Sequence, residues 1–303
     1  MESKTAPWAE NLLMQACGVA AQDLPAGALY VVALPIGNAA DITLRALWTL
    51  ARVDAIAAED TRETRKLLDR FGITTPSFAA HEHNERAAAE KIVERLRAGE
   101  RIALVTDAGT PAVSDPGARV VRVVLDAGLR VVPVPGASSS VTALSAAGLA
   151  PGGFAFVGFL PTGAKQREKQ VRSQAARGEA FIVFEAPHRI LALARELSQW
   201  LEPQRRVVFA RELTKKFETF ETVAVADLPA WGETHEARGE YVVLIDVLPA
   251  LEAALEIDET TRRWLAVLAD ELPASRAAAV AAKVTGLPRD RLYRELSGRG
   301  AAD

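Results

Sequence analysis

The stretch RIALVTDAGTPAVSDPGARVVRVVLDA, residues 101–127, decides how this chain folds. RIALVTD is a short apolar run of strand length, and ARVVRVVLDAG repeats its apolar residues at helical spacing. Between them lie Asp107-Ala108-Gly109-Thr110-Pro111 and a second punctuated turn, Asp115-Pro116-Gly117. The segment reads as strand, loop and helix, with Asp115-Pro116-Gly117 as the cap and first turn of the helix. A single turn of this kind requires no ligand, so its weight depends on whether it recurs.

It recurs in both directions. Upstream, ALYVVALPIGN is an apolar strand closed by Pro35 and Gly37. DITLRALWTLARVD follows as a helix that Asp41 can cap, and DAIAAED is the next strand. A helix over Thr64 to Phe71, a short strand TPSFAAH and an amphipathic helix from Glu85 to Ala98 lead to residue 101. Downstream, LRVVPVPG is a fifth strand and GASSSVTALSAAGL a helix. Strands that are apolar on both faces and alternate with helices predict a mostly parallel α/β sheet covered on two sides. In such sheets ligands bind beyond the carboxyl ends of the strands. That places PIGN, AEDTR, DAGTP and PGASSS on one rim.

Beyond residue 150 the composition shifts. FAFVGFLP, EAFIVFEAPHR, RRVVFARELTKKFET and ARGEYVVLIDV are four further strand candidates, with helices between the first three. Residues 250–303 carry no strand signal and read as helices broken near Leu272-Pro273 and at 285–288. The predicted organisation is a tail over 1–26, an α/β domain over 27–149, a second over 150–249 and a helical domain over 250–303. In the last, SRAAAVAAKVTGLPRDRLYREL has the helix-turn-helix pattern.

Composition narrows the function. The chain has 303 residues, 49% of them hydrophobic, enough for two or three domains. No apolar stretch reaches membrane-span length and the N-terminus lacks signal-peptide features, so a cytoplasmic protein is expected. The single cysteine, Cys17, excludes an intrachain disulfide and any multi-cysteine metal site, and no metal is expected. The net charge of −3 drives no global association with nucleic acid, but charge is unevenly spread. Between Thr162 and Lys216 twelve Lys/Arg face six Asp/Glu, whereas Gly27 to Pro135 carries fourteen of each. Leu272 to Arg299 holds six Lys/Arg against two acids, so two regions are suited to a polyanion.

On the rim, Gly37, Gly109, Gly136 and the serines Ser138 and Ser139 suit close backbone approach to a ligand. No G-x-G-x-x-G follows the first strand and no G-x-x-x-x-G-K-[ST] occurs, which argues against a nicotinamide or P-loop nucleotide. LYVVALPIGNAADITLRAL, AAEDTRETRKLL, ALVTDAGTPAVSDPG, VVPVPGASSSVTALSAAGL, FVGFLP and FARELTKKFET together resemble the tetrapyrrole methylase superfamily. The resemblance runs from about Leu29 to the end, and it is strongest to the ribosomal RNA branch. Enzymes of the superfamily that act on tetrapyrroles usually carry Gly-x-Gly-Asp after the first strand, where this chain has Pro35-Ile36-Gly37-Asn38.

The resemblance implies two α/β domains with a cofactor cleft between them, S-adenosyl-L-methionine as cofactor, and a homodimer. It implies methylation of the ribose 2'-hydroxyl of a cytidine in the decoding region of small-subunit (16S) ribosomal RNA, within the assembled 30S subunit. Carried over by position, Gly37, Asp107, Gly109, Pro111, Val113, Ser138 and Ser139 would contact the cofactor. Glu185, Leu213, Gly239 and Glu240 would meet it from the second domain. A tetrapyrrole C-methyltransferase on the same scaffold and a non-catalytic ribosome-assembly factor are the competing readings.

Transfer to a hydroxyl needs a proton acceptor, and spacing does not choose among Glu59, Asp60, His81, His83, Glu185, His188 and Glu212. Asp60, Glu185, His188 and Glu212 are the leading four. Arg62, Arg65, Arg189, Arg211, Lys215 and Lys216 lie in or beside rim motifs and suit RNA phosphates. His83 and Asn84 extend that set. Arg289, Arg291 and Arg294 on the last helix would add further phosphate contacts.

Overall fold

The computed structural model describes residues 16–81, 84–149, 152–248 and 257–299. The first sheet holds β1 (Ala28–Val32), β2 (Ala55–Ala58), β3 (Ser77–Ala79), β4 (Ile102–Val105) and β5 (Arg130–Val134) in the order β3-β2-β4-β1-β5. Every pairing in it is parallel. β1, β2 and β4 are covered on both faces, which accounts for their uninterrupted apolar sequences. Ala28, Tyr30 and Val32 point to a core shared with Leu47 and Leu50 of α1 (Leu44–Arg52) and Leu68 of α2 (Thr61–Arg70). Leu29, Ala55 and Ala57 point the other way, toward Ile92 and Leu96 of α3 (Glu85–Arg97) and Val120 and Val124 of α4 (Ala118–Asp126). Each buried Leu, Ile or Val among these contributes about 1.5–3 kcal/mol of apolar burial.

The helix starts differ from the expectation at two places. Thr43, not Asp41, caps α1 by accepting from the Ala46 N–H at 3.0 Å, because Asp41 is spent in a 3-10 turn over Ala39–Asp41. Asp115 does not cap α4. Glu85, at the start of α3, accepts from the N–H groups of Gly117 at 3.0 Å and Arg119 at 3.1 Å. A carboxylate from a neighbouring helix thus supplies the anion that the α4 N-terminus favours, and Asp115 is released.

The second sheet is mixed: β6 (Phe154–Phe159), β7 (Ala180–Glu185), β8 (Arg206–Arg211), β9 (Thr219–Ala224) and β10 (Tyr241–Ile245), in the order β6-β7-β10-β8-β9. RRVVFARELTKKFET, expected as one strand, instead enters an antiparallel hairpin. The chain turns at 212–218, where Glu212 and Thr214 take positive φ of 51° and 64°, and β9 follows. One face of this sheet packs on α6 (Ala164–Ala175), α7 (Pro187–Trp200) and α8 (Leu228–Thr234). Its other face receives Ala143 and Ala147 at the end of α5 (Ser139–Ala146) against Ile182, Val208 and Leu244. That contact fixes the second sheet against the rim of the first.

The C-terminal unit is three helices, α9 (Glu259–Glu271), α10 (Ala274–Thr285) and α11 (Arg289–Arg299), around Leu265, Ala278, Ala281 and Leu292. At the other end, Val19 is buried against Trp48, so part of the expected N-terminal tail is packed. Cys17 is exposed. Among the described residues no helix is long and apolar enough to cross a membrane, and no group of His, Cys, Asp and Glu forms a metal-binding cluster.

Candidate active site

The loops after β1, β2, β4 and β5 converge on one rim, stitched together by main-chain bonds. Leu34 and Gly109 exchange N–H···O bonds at 2.8 and 3.0 Å, tying PIGN to DAGTP. The Thr110 hydroxyl donates to the Ala137 carbonyl at 3.0 Å, joining DAGTP to PGASSS. AEDTR and DAGTP are locked reciprocally: Asp107 accepts from the Asp60 N–H at 3.1 Å, and Glu59 accepts from the Asp107 N–H at 3.3 Å. These bonds hold four separate loops as one surface.

Facing that surface across a cleft of about 520 Å³ are the ends of β6, β7 and β10 and the loop after β8. The volume lies in the usual range for a small-molecule site. Of the residues expected at the cofactor, Asp107, Gly109, Val113, Ser138, Ser139, Glu185, Leu213 and Glu240 all line the cleft. Gly37, Pro111 and Gly239 are not among its lining residues. Gly37 is a point of close approach between the two halves: a Cβ there would lie 2.6 Å from Lys215 Cγ and 3.0 Å from the Leu213 carbonyl oxygen. Gly239 packs against Glu212 in the same manner.

The expected proton acceptors are mostly engaged. Asp60 caps α2 through the Arg62 N–H and accepts from the Arg62 guanidinium at 2.6 and 3.1 Å, which holds its carboxyl well below the usual range. Burial pushes Glu212 up, but the Glu240 N–H and the Lys215 ammonium outweigh it and keep the group ionised. Glu185 is almost sealed, with one oxygen on the Ala186 N–H and Arg189. Burial still raises its pKa above the carboxylate value. His188 is exposed on α7, and His83 lies outside the described residues.

The cations separate into two sets. Arg65 donates to the Ile73 and Thr75 carbonyls, Arg189 pairs with Glu185 and donates to the Leu160 carbonyl, and Lys215 bridges Glu212 and Glu240. Their first duty is structural. Arg62 remains 85% exposed while paired with Asp60, and Lys216 is exposed beside the ring of Phe217. Arg211 donates to the Thr219 hydroxyl, and Asn84 holds the turn into α3 by bonding His81 N–H and the Ala79 carbonyl. Arg289 and Arg294 are exposed on α11, with Arg291 partly so.

Asp115, Phe159 and Phe184 are among the lining residues that the sequence reading did not select. Asp115 opens onto the cleft, and partial desolvation by the surrounding walls, then the charges of Glu59 and Asp107, raise its carboxyl to about 6. Phe184 and the 58% exposed Phe159 form an edge-to-face pair on the opposite wall. Charge proximity of this kind depends on which loops meet, which spacing along the chain does not record.

Comparison with known proteins agrees with this architecture. Residues 28–229 match the family model described as Tetrapyrrole (Corrin/Porphyrin) Methylases, and residues 255–297 match that of the RsmI C-terminal HTH domain. The Ribosomal RNA small subunit methyltransferase I of Haemophilus influenzae is 43% identical over 269 residues, 88% of this chain and 95% of the relative. That of Pseudomonas aeruginosa is 44% identical over 90% of this chain and 97% of its own length. The chain belongs to this methyltransferase family. The counterpart in Escherichia coli O157:H7 is 46% identical, covering 88% of this chain and 94% of its own.

Solved structures share the fold at lower identity. The methyltransferase CobJ superposes with a TM-score of 0.55 at 23% identity, over 72% of this chain and 93% of its own. A Thermus thermophilus uroporphyrin-III C-methyl transferase complexed with S-adenyl homocysteine gives 0.52 at 20% identity, over 74% and 99%. The tetrapyrrole methylase family thus supplies the fold, while these three relatives, matched along most of the chain, are small-subunit ribosomal RNA methyltransferases.

Proposed function

We propose that this methyltransferase uses S-adenosyl-L-methionine to methylate the ribose 2'-hydroxyl of a cytidine in the decoding region of small-subunit ribosomal RNA. The observation that carries the reading is identity of 43–46% over about nine-tenths of the chain to the small-subunit enzymes, including the helical C-terminal module. The cleft suits the cofactor in its chemistry. Ile36, Phe184, Leu213 and Val242 offer apolar walls to a purine, while the Ser138 and Ser139 hydroxyls and the backbone of 108–110 offer polar contacts. Asp107 and Asp115 place negative charge where a sulfonium and an ammonium need it.

When bound, the cofactor supplies an already activated methyl group. The protein's task is then alignment of the attacking oxygen and acceptance of its proton. The interlocked loops provide a rigid floor for alignment. Arg62, Arg211, Lys216 and the α11 arginines are the phosphate contacts of this reading, with Arg65, Arg189 and Lys215 holding the loops that present them. The substrate is RNA within the assembled 30S subunit, the enzyme works as a homodimer, and its place is the cytoplasm.

The test is to incubate the protein with methyl-labelled cofactor and small subunits that lack the modification. Label in 16S RNA supports the reading. Label in uroporphyrinogen instead would favour a tetrapyrrole enzyme, and cofactor binding with transfer to neither would favour an assembly factor.

A further inference from the structure

The turn that joins β8 to β9, residues 212–218, is built as a rigid arm. Its backbone takes positive φ at Glu212 and Thr214, a costly conformation for residues with a side chain. Main-chain bonds hold that shape. The Glu212 N–H donates to the Glu240 carbonyl at 3.0 Å, the Lys215 N–H to the Glu212 carbonyl at 3.0 Å, and the Glu218 N–H to the Lys215 carbonyl at 3.1 Å. The Glu218 carboxylate closes the loop by accepting from the Thr214 N–H at 2.6 Å. Lys215 ties the arm to the start of β10 through Glu212 and Glu240, and its Cγ packs on Gly37 of the PIGN loop.

The tip of this arm is left uncovered. Phe217 is 63% exposed, more than any other Phe, Tyr or Trp ring among the described residues. A phenylalanine kept in water forgoes the burial that ordinarily stabilises it. Lys216 stands beside it with its ammonium 5.5 Å from the ring centroid, and among the described residues Lys216 makes no ion pair. Lys215 is neutralised by its two glutamates, so Lys216 is the turn's available cation. The patch is small and mixed, since the ring's chain neighbours Lys216 and Glu218 are both exposed, whereas the core of a protein–protein contact is depleted of charge. A lone aromatic face beside an unpaired cation matches the recognition of single-stranded nucleic acid, where a ring stacks on a base and a cation meets the adjoining phosphate.

Leu213, at the base of the same turn, lines the cleft, and Phe217 does not. The chain between them spans at most about 14 Å, so the ring reaches nucleotides next to the one whose ribose enters the cleft. We propose that Phe217 is a stacking site for an unpaired base flanking the target nucleotide, with Lys216 holding the phosphate beside that base. The inference rests on the functional reading above and specifies the form of the substrate: RNA whose bases next to the target are free of duplex pairing. A base inside a duplex is already stacked on its neighbours and offers no free face.

The test measures affinity for small subunits lacking the modification, over a range of salt, for wild type, Phe217→Ala, Phe217→Trp and Lys216→Ala. Calorimetry with S-adenosylhomocysteine and sedimentation of the free enzyme accompany it. Phe217→Ala should weaken subunit binding by about 5- to 150-fold, the contribution of one stacked base, with the salt slope unchanged. Phe217→Trp keeps a stacking face and should bind as wild type does. Lys216→Ala should weaken binding and lower the salt slope by about 0.7, as loss of one single-strand phosphate contact does. In all three variants product affinity and oligomeric state should match wild type. Phe217→Ala binding within about twofold of wild type would overturn the proposal, as would Phe217→Trp binding as weakly as Phe217→Ala. A loss accompanied by weaker product binding would make the ring a prop for the cleft, and one accompanied by altered sedimentation would make it a contact between copies of the chain; either also overturns it. Failure of the wild type to methylate the subunits overturns the functional reading, a result distinct from a methylating wild type that Phe217→Ala matches in binding.

Discussion

Gly37→Ala probes the join between the halves of the molecule with a single methyl group. The added Cβ would lie 2.6 Å from Lys215 Cγ, 3.0 Å from the Leu213 carbonyl oxygen and 3.0 Å from Thr214 Oγ1. Lys215 cannot swing away freely, because its ammonium is held at 3.0 Å by Glu212 and 2.8 Å by Glu240. The Leu213 oxygen belongs to a backbone already turned through positive φ at Glu212 and Thr214. Overpacking against such neighbours costs about 1–3 kcal/mol. Leu213 lines the cleft, so relief by loop displacement is paid in ligand affinity. If the full cost appears there, S-adenosylhomocysteine binding weakens by roughly 5- to 150-fold, at about 1.4 kcal/mol per tenfold. Titration calorimetry at 25 °C measures the affinity, and a urea melt measures any part of the cost that falls on folding. Unchanged affinity together with an unchanged melt would refute the argument that this contact is rigid.

Three further outcomes follow from particular contacts. Glu85→Ala removes the acceptor for the Gly117 and Arg119 N–H groups, and urea unfolding should show a loss of about 1–2 kcal/mol, as for other helix caps. Arg167→Ala leaves Glu196 without its two-pronged partner in a site where the arginine side chain is only 11% exposed, and it also abandons the Pro161 and Thr162 carbonyls. Breaking such a pair costs about 3–5 kcal/mol, read as a lowered urea midpoint. Asp115→Asn should raise the thermal midpoint at pH 7–8 and lose that advantage near pH 4. The folded carboxyl, raised to about 6, binds its proton more tightly than the unfolded one, so wild-type stability falls as pH rises through that range. A thermal midpoint difference independent of pH would contradict this sign.

Legibility in the sequence followed the range of the interactions. The parallel sheet was readable because ALYVV, AIAA and IALV are apolar on both faces, with ALYVV and IALV punctuated by Pro or Gly. The C-terminal helices were readable from their periodicity and from the break at 285–288. The β8–β9 hairpin was not, because its turn uses Glu212 and Thr214 at positive φ, residues that carry no turn signature. Asp115 was misread for a related reason. Asp-Pro-Gly before a helix is a local capping pattern, and only the arrival of Glu85 from thirty-odd residues upstream frees the aspartate for the cleft. The cations show the same limit: spacing placed Arg65 and Arg189 on the rim, but which carbonyls they would serve depended on tertiary approach.

The central claim is that this cleft delivers a methyl group to a ribose oxygen of small-subunit RNA. Nuclease digestion of RNA from subunits treated with enzyme and isotopically labelled S-adenosylmethionine, followed by mass spectrometry of the nucleosides, reads it directly. The account predicts labelled 2'-O-methylcytidine, with the mass increment on the sugar fragment. Label on a base nitrogen or carbon, or no label in the RNA, would contradict it.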